Sequence, residues 1–550
     1  MGVHRHDRSS AARPRQRPRL VLPALLGLLG LLLAGCAPLG PTGAKLEGDR
    51  LTDLRPVRPG GTLQIALASD PDRLDPTRSS TLVARQVFAS MCEKLYDLDQ
   101  NLQIVPQLAA APASISADQK TVTIPIRQGL KFADGTLMDA AAVKTSLDRH
   151  LTLKTSGRRS ELANVASINA PDPGTVVLKL KQPDASLLSV LADRAGMVMS
   201  PKALTELGDE FSQRPVCIGA FRFSERIPGD RIVLDKDPNY YAADQVGLQQ
   251  VVYRIITDGS VRLSNLRSRD VQVGDQMDPV SVGSMAGDNA LQLFSSGSLG
   301  YQGIYFNLNN ANGIGNPPGP VNSAMAGDKR LRQAFSLAID RNLLNTIVFQ
   351  GLYQPACTPI APGTEYADPA QSACAPRDLQ RARQLIAETG VPTPIPLELT
   401  IPNTPESSRI GQVIQAMTAE AGFEVKLRPM EFASSLSTSQ DGQFQALAAG
   451  WSGRIDPDGN ITRFVKTGAA NNYSGYGNPQ VDDLIKKGVA TNDTAARRDI
   501  YKQLIDVVAE DAPLIYLYRQ SNLVVATQQI SGIRVYRDGI IRITEAGYTS

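Results

Sequence analysis

The sequence predicts an α/β protein built from two or three domains. The chain has 550 residues, more than a single hydrophobic core usually organises. Strand-like apolar runs alternate evenly with amphipathic helical segments from about residue 60 onward, and this mixture is typical of α/β folds. No repeat, heptad pattern or low-complexity tract interrupts the alternation. Together these observations favour several mixed domains over a bundle, a solenoid or a disordered chain.

The first 35 residues predict a secretory signal. Six arginines and one aspartate precede the apolar run Leu20–Gly35, which is 16 residues long and contains Pro23, Gly27 and Gly30. That run is too short to cross about 30 Å of hydrocarbon as a helix. Without this segment the whole-chain charge of +3 becomes slightly negative, so we expect no basic surface for nucleic acid.

The tetrapeptide Leu33-Ala34-Gly35-Cys36 resembles the lipobox of bacterial lipoproteins. The resemblance implies cleavage before Cys36 and a diacylglyceryl thioether on its sulfur, which would attach the protein to the membrane. Residues 36–58 are rich in proline and glycine without periodicity, and we expect them to form a flexible tether. The predicted location is therefore the extracytoplasmic face of the cell membrane, lipid-anchored, in the periplasm or at the cell surface.

Histidine is scarce, which argues against an enzyme. Of three histidines, His4 and His6 lie in the predicted signal, and only His150 remains. His150 ends an amphipathic helical segment, where we expect a solvated or capping role rather than that of a general base. No CxxC or HExxH spacing is present, so the sequence predicts neither a metal site nor a cofactor.

Four further cysteines follow Cys36 in a compartment that permits disulfides. Cys357 and Cys374 lie 17 positions apart in a proline-rich segment without periodicity, and we expect a disulfide to close that loop. Cys92 and Cys217 each stand beside apolar residues and could pair or stay as buried thiols. The sequence leaves both possibilities open.

The folded body begins with a strand, a loop and a helix. The apolar run within Gly60–Pro76 predicts a short strand that ends in a loop rich in aspartate and proline. Apolar residues at helical spacing between 82 and 95 predict a buried helix face. A second strand over 121–127, an Asp134-Gly135 turn and a helix from about Asp139 follow.

From this point the sequence resembles the extracytoplasmic solute-binding proteins of the oligopeptide, dipeptide and nickel uptake class, known as family 5. The family motif is a strand ending in Arg-x-Gly-Leu/Val-Lys-Phe-x-Asp-Gly-Thr, followed by a helix with Val, Ser-Leu and Arg at fixed places. Its matches are Arg127, Gly129, Lys131, Phe132, Asp134, Gly135, Thr136, Val143, Ser146, Leu147 and Arg149. Further matches follow in order at 218–241, 304–310, 328–351, 450–460, 472–485 and 501–518. The likeness covers about residues 58–545.

The resemblance implies a two-lobed periplasmic-binding-protein fold, type II of the large peptide-binding class, with an extra subdomain in lobe one. We expect lobe one to comprise residues 59–300 plus 520–550, with the subdomain at about 93–198, and lobe two to comprise 301–519. A solute bound between the lobes would be delivered to an ABC permease driven by ATPase subunits. The implied protein is a monomeric receptor with no catalytic activity, cofactor or metal.

The implied ligand is a peptide or another small solute. Anionic non-peptide ligands stay open as alternatives, namely an opine, a glutathione-like solute, haem or a metal chelate. A sensory or chaperone-like surface protein on the same fold is the alternative to an importer receptor. The single histidine outside the predicted signal argues against direct nickel binding.

The stretch "AGWSGRIDPDGN" (449–460) is the predicted pocket loop of lobe two. It contains Trp451, the only tryptophan, with Ser452 beside it. In peptide-binding relatives the third position after the tryptophan is an aspartate that pairs with the peptide's amino group, whereas here it is Arg454. A guanidinium favours carboxylate or phosphate groups and repels an ammonium. Three roles are open for Arg454: contact with the ligand, a salt bridge with Asp456 or Asp458, or exposure to solvent.

A one-residue shift would instead bring Asp456 to the ligand. A catalytic pair of Asp456 and Asp458 is disfavoured, because acids this close in a Pro/Gly loop usually stabilise turns and helix starts. Other candidate ligand contacts follow the ends of predicted strands, where the cleft of such a fold lies. They are Ser69, Asp70, Tyr301, Tyr305, Asn472 and Tyr473.

Overall fold

The computed structural model describes residues 51–549, so the predicted signal, Cys36 and most of the predicted tether lie outside the described residues. Lobe one is organised by a sheet of seven strands. Its centre is parallel, since Thr62–Leu67 pairs with Gln250–Ile255 on one side and with Val273–Gly274 on the other. The order across the sheet is Leu291–Gly297, Ser521–Thr527, Val273–Gly274, Thr62–Leu67, Gln250–Ile255, Arg231–Lys236 and Phe221–Ile227.

Lobe two contains a mixed sheet of six strands. Its central strand Tyr301–Phe306 is antiparallel to Ala446–Trp451, so Trp451 ends an inner strand directly opposite Tyr301. The order across the sheet is Gln354–Pro355, Leu514–Arg519, Tyr301–Phe306, Ala446–Trp451, Ile395–Pro402 and Phe423–Met430. The last two strands are parallel and pair along their whole length. The predicted pocket loop therefore leaves this sheet from its middle.

The predicted subdomain contains an antiparallel sheet of its own. The order of its four strands is Ser114–Ile115, Thr121–Pro125, Thr175–Leu180 and Val165–Asp172. The helix Ala140–Thr152 packs on this sheet and buries Val143 and Leu147. Three smaller sheets lie elsewhere in the described residues: Tyr96–Leu98 with Ile104–Pro106, Arg534–Val535 with Ile541–Arg542, and Val57–Arg58 with Gly547–Thr549 and Ile530–Ser531.

Most helices begin at a side chain that accepts a backbone N–H hydrogen bond, which is the usual N-cap chemistry. Thr81 and Asp139 do so in lobe one, and Asp340 and Thr404 do so in lobe two. No helix within residues 51–549 is long and apolar enough to cross a membrane. The α-helices are Leu82–Met91, Ala140–Thr152, Leu187–Leu191, Pro201–Leu207, Gly259–Ser268, Pro279–Gly283, Ala324–Gly327, Lys329–Leu337, Arg341–Phe349, Pro369–Ser372, Leu379–Thr389, Pro405–Ala419, Phe432–Gln440, Asp458–Val465, Pro479–Ala490 and Thr494–Asp511.

Two short segments connect the lobes. The chain passes from the lobe-one strand Leu291–Gly297 to the lobe-two strand Tyr301–Phe306, and it returns from Leu514–Arg519 to Ser521–Thr527. The buried apolar side chains form two clusters, one mainly in each lobe. Because each sheet has its own core and short crossings link them, the architecture permits the lobes to move as rigid bodies.

His150 is buried, so the prediction of a solvated residue is wrong. Its side chain is inaccessible to solvent in the last turn of the helix Ala140–Thr152. Burial lowers the pKa of His150 to about 3, and the charge of Arg158 acts in the same direction. Amphipathic periodicity missed this burial because groups near the ring, among them Arg158 and the backbone of Met197, belong to segments that follow the helix in the chain.

Two disulfides join the four cysteines of the described residues. One links Cys357 to Cys374, the pair expected from the sequence, and the other links Cys92 to Cys217. Cys92 and Cys217 are both buried in the core of lobe one. Of the two possibilities that the sequence left open for them, the structure contains the disulfide.

Candidate functional site between the lobes

Asn460 holds the predicted pocket loop in shape. Its side-chain oxygen accepts hydrogen bonds from Trp451 Nε1 at 3.1 Å and from the backbone N–H of Arg454 at 2.7 Å. Its side-chain nitrogen donates to the carbonyl oxygen of Arg454 at 2.8 Å, and Tyr301 Oη donates to the carbonyl of Asn460 at 3.1 Å. This buried amide therefore fixes both the indole and the backbone that follows it. Sequence reasoning missed Asn460, because its hydrogen-bond partners come together only in the folded loop and form no recognisable sequence motif.

Gly453 permits the tight turn after Trp451. Its backbone φ is +82°, in the left-handed region that favours glycine. A Cβ at this position would lie 2.2 Å from the carbonyl carbon of Leu299, which belongs to a segment that crosses between the lobes. The pocket loop therefore packs directly against a crossing segment, and a side chain at this position would displace it.

A cavity of about 1060 Å³ lies between the lobes. Its wall contains residues of lobe one, of the subdomain and of lobe two. Half of the ten predicted ligand contacts belong to this wall: Ser69, Tyr301, Trp451, Ser452 and Tyr473. Ser69 follows the first strand of the lobe-one sheet, and the other four come from lobe two. The structure thus brings strand ends from both lobes to one surface.

Aromatic rings form the lobe-two side of the cavity wall. Phe464 meets the ring of Trp451 edge-on, with 5.3 Å between centroids, and the ring of Tyr301 at 6.1 Å. The guanidinium of Arg463 lies 4.7 Å from the centroid of Trp451. A solute in the cavity therefore meets aromatic surface with a cation beside it, a combination suited to planar amide and carboxylate groups.

Three predicted contacts stabilise their own lobe instead. The carboxylate of Asp70 pairs with Arg226 at 2.9 Å, within lobe one. Tyr305 is buried with its ring centroid 5.5 Å from that of Tyr473, in the core of lobe two. Asn472 is also buried, and its side-chain amide donates to backbone carbonyls of its own loop. None of the three belongs to the cavity wall that residues 51–549 form.

The two charged candidates of the pocket loop are paired with protein groups. Asp456 accepts two hydrogen bonds from the buried guanidinium of Arg497, at 2.6 and 2.8 Å. Arg454 forms an ion pair with Asp193 of the subdomain, with Nη2 and Oδ2 2.6 Å apart. The pairing of Arg454 with Asp456 or Asp458, which the sequence allowed, is not formed. Neither Arg454 nor Asp456 belongs to the wall that residues 51–549 form around the large cavity.

The cavity wall also carries charged residues that sequence reasoning missed. Arg73, Lys154 and Arg409 belong to the wall and form no salt bridge within the described part of the chain. Asp278, a wall acid, is the N-cap of the helix Pro279–Gly283. These residues come from both lobes and share no motif, so no local sequence pattern could predict that they line one cavity. Seven bases of the wall (Arg73, Arg78, Lys154, Arg158, Arg262, Arg409 and Arg463) stand against five acids, Asp72, Asp258, Asp278, Glu406 and Asp538.

Glu406 differs from the other acids of the wall. It lies in the first turn of the helix Pro405–Ala419, and its Oε1 is buried without a hydrogen-bond partner among the described residues. Burial, together with the nearby charge of Asp278, raises the pKa of Glu406 to about 7. A cationic group of a solute would satisfy this oxygen. The wall thus offers one place for a cation beside several for anions.

Two α/β lobes, two crossing segments and a polar cavity between the lobes define a solute-binding protein of the periplasmic type. Residues 103–473, more than half of the chain, match "Bacterial extracellular solute-binding proteins, family 5 Middle". The chain belongs to this family, and the predicted fold and family are confirmed. Members of this family are solute-binding proteins and not enzymes, so the chain is an extracytoplasmic solute-binding protein.

Several relatives match along nearly their whole length. The glutathione-binding protein GsiB of Salmonella typhi is 26% identical over 487 residues, which cover 86% of this chain and 92% of that protein. AgaA of A. tumefaciens R10, solved in complex with agropinic acid, is 26% identical with a TM-score of 0.78, over 89% of this chain and 99% of that one. The Escherichia coli murein tripeptide binding protein MppA has a TM-score of 0.81 at 20% identity, over 90% and 100% of the two chains, and shows the fold alone.

Proposed function

We propose that this chain is a lipid-anchored receptor that captures a peptide-like solute with more carboxylates than amines and delivers it to an ABC permease. The observation that carries this ligand class is the charge pattern of the cavity wall. The wall bases Arg73, Lys154 and Arg409 form no salt bridge within the described residues. Four of the five wall acids already bond to protein groups, namely Asp72, Asp258, Asp278 and Asp538. The one buried carboxylate oxygen without a partner among the described wall residues is Oε1 of Glu406. A zwitterion of net negative charge complements this pattern.

The size of the cavity supports a solute larger than a single amino acid. Its volume of about 1060 Å³ lies at the upper end of the roughly 300–1,000 Å³ of small-molecule sites. Glutathione, which the Salmonella typhi relative binds according to its name, carries two carboxylates and one ammonium at neutral pH. Under this proposal the carboxylates lie against Arg73, Lys154 or Arg409 and the ammonium lies against Glu406.

Titration of the full-length protein with four probes tests the ligand class. The probes are reduced glutathione, agropinic acid, trialanine and trilysine, and the readouts are the emission of Trp451 and the unfolding temperature. We expect saturable binding of glutathione or agropinic acid, weaker binding of trialanine and none of trilysine, because the wall repels cations. Mass spectrometry of solute released from the purified protein identifies the natural ligand.

A pair of variants separates the role of Glu406 from general charge effects. Glu406→Gln should weaken binding of an amine-bearing solute such as glutathione by about tenfold, the typical effect of one charged hydrogen bond, and leave glutarate, which has no amine, unchanged. Glu398→Gln is the control, because Glu398 lies on lobe two outside the cavity wall and pairs with Arg428 at 3.2 Å. Preferential binding of trilysine, or equal effects of both variants, would refute the proposed ligand class.

A further inference from the structure

Four charged side chains meet where the subdomain contacts lobe two. Asp193 and Glu161 belong to the subdomain, and Arg454 and Arg463 belong to lobe two. Arg454 Nη2 lies 2.6 Å from Asp193 Oδ2, and Arg463 Nη1 lies 3.1 Å from Glu161 Oε1. The side chains are 11% and 8% exposed in the first pair and 12% and 16% exposed in the second. Salt therefore screens these pairs less than it screens pairs on the open surface.

These pairs border a second, smaller cavity. Its volume is about 250 Å³, and it lies between the subdomain and lobe two. Trp451 and Arg463 line both cavities, whereas Arg454, Asp193 and Glu161 line only the smaller one within the described residues. Arg454 thus reaches the far side of Trp451, with its guanidinium 4.3 Å from the indole centroid, and not the solute cavity.

Each acid of these ion pairs has a second arginine partner outside lobe two. Asp193 also accepts a hydrogen bond from Arg85 of lobe one at 2.9 Å, and Glu161 accepts one from Arg158 at 2.8 Å. Burial by itself would raise the pKa of Asp193, but the charges of Arg454 and then Arg85 hold it well below its usual range. By contrast, Arg454 has no other carboxylate partner within residues 51–549. Separating the lobes would therefore leave the lobe-two arginines without a counter-charge.

A backbone contact joins the same two surfaces. The N–H of Ala185, in the subdomain, donates to the carbonyl oxygen of Val489, in lobe two, at 2.9 Å. This bond exists only while the two surfaces are in contact. Its amide proton therefore reports separation of the surfaces without any added label.

We infer that Asp193 and Glu161 are positioning residues for solute binding. Through Arg454 and Arg463 they fix the indole of Trp451 against the cavity and stabilise the arrangement in which the subdomain closes on lobe two. We call these four residues the latch. Removing a latch charge shifts the equilibrium toward the open arrangement, and solute affinity falls in proportion to the fraction of closed protein. This inference rests on the two-lobed fold and does not depend on the proposed ligand class.

The test uses the full-length protein without ligand. Asp193→Asn and Arg454→Gln are compared with wild type by hydrogen–deuterium exchange of the peptide containing Ala185 and by acrylamide quenching of Trp451. We expect each variant to speed exchange at Ala185 by at least about tenfold, because breaking a largely buried ion pair destabilises the contact between the two surfaces. The double variant should exceed neither single variant by more than a small factor, because both remove the same pair. Quenching of the indole should rise in parallel.

Asp97→Asn provides the matched control. Asp97 of the subdomain pairs with Arg542 of lobe one at 3.1 Å, a contact that does not involve lobe two. Their side chains are 20% and 16% exposed, close to the values in the latch. This variant should lower the unfolding midpoint without changing exchange at Ala185. If Asp193→Asn does not fold, Arg454→Gln decides alone. Unchanged exchange at Ala185 in Arg454→Gln, or an equal change in the control, would overturn the inference.

Discussion

Acid should destabilise this protein through one buried imidazole. His150 has a pKa of about 3 in the folded chain, against 6.5 for an ordinary histidine. Because the folded pKa is lowered, the unfolded chain binds the proton more readily. The stability contributed by the neutral ring is therefore complete above pH 6.5 and is lost as the pH falls toward 3. At pH 5.5 the loss relative to neutral pH is about 1.4 kcal/mol for an unfolded pKa of 6.5.

Urea unfolding at pH 7.5 and pH 5.5 measures this contribution. Wild type should lose about 1.4 kcal/mol more between the two pH values than His150→Gln, which cannot titrate. Every other titrating group is common to both proteins, so its contribution cancels in the difference. If the lobes unfold in separate steps, the effect belongs to the step that unfolds the subdomain. An identical pH dependence in both proteins would mean that His150 titrates normally when folded, and the reasoning would fail.

Two further predictions concern the pocket loop and the anchor. Asp456→Asn leaves the guanidinium of Arg497, 1% exposed, without its carboxylate, and should cost about 3–5 kcal/mol in urea unfolding. Asp483→Asn removes an exposed pair with Lys487 on the same lobe and should cost under about 1 kcal/mol, so equal losses would contradict the assignment. Cys36→Ser should abolish incorporation of a palmitate analogue and release the protein from the membrane fraction. Retention of this variant on membranes would refute the predicted anchor.

Sequence reasoning located part of the cavity wall because certain signals are local. The stretch around the sole tryptophan was recognisable, and Trp451 and Ser452 do line the large cavity together with Ser69. Tyr305 was an equally reasonable choice four residues beyond Tyr301 on the same strand. The structure places it in the core of lobe two, because its ring packs against Tyr473 and Phe464. The position of a tyrosine near a strand end does not show whether its ring contacts a solute or packs against other side chains.

Arg454 shows most clearly what the sequence could not predict, namely its salt-bridge partner. The sequence offered two acids within four positions as salt-bridge partners, yet the guanidinium pairs with Asp193 of the subdomain. Asp456 is not free to serve, since Arg497 occupies both of its oxygens. The partner of Arg454 depends on the contact between the subdomain and lobe two, whose residues are far apart in the sequence.

By itself the sequence determined the α/β class, the family and the loop that carries the tryptophan. These follow from periodicity, turn chemistry and ordered motifs, which depend on residues a few positions apart. Only the tertiary structure decided which side chains line the cavity, that His150 is buried, and that Arg454 is paired with the subdomain. The reason is physical: burial and charge pairing depend on distances across the cleft, which the packing of the lobes sets and no local pattern records.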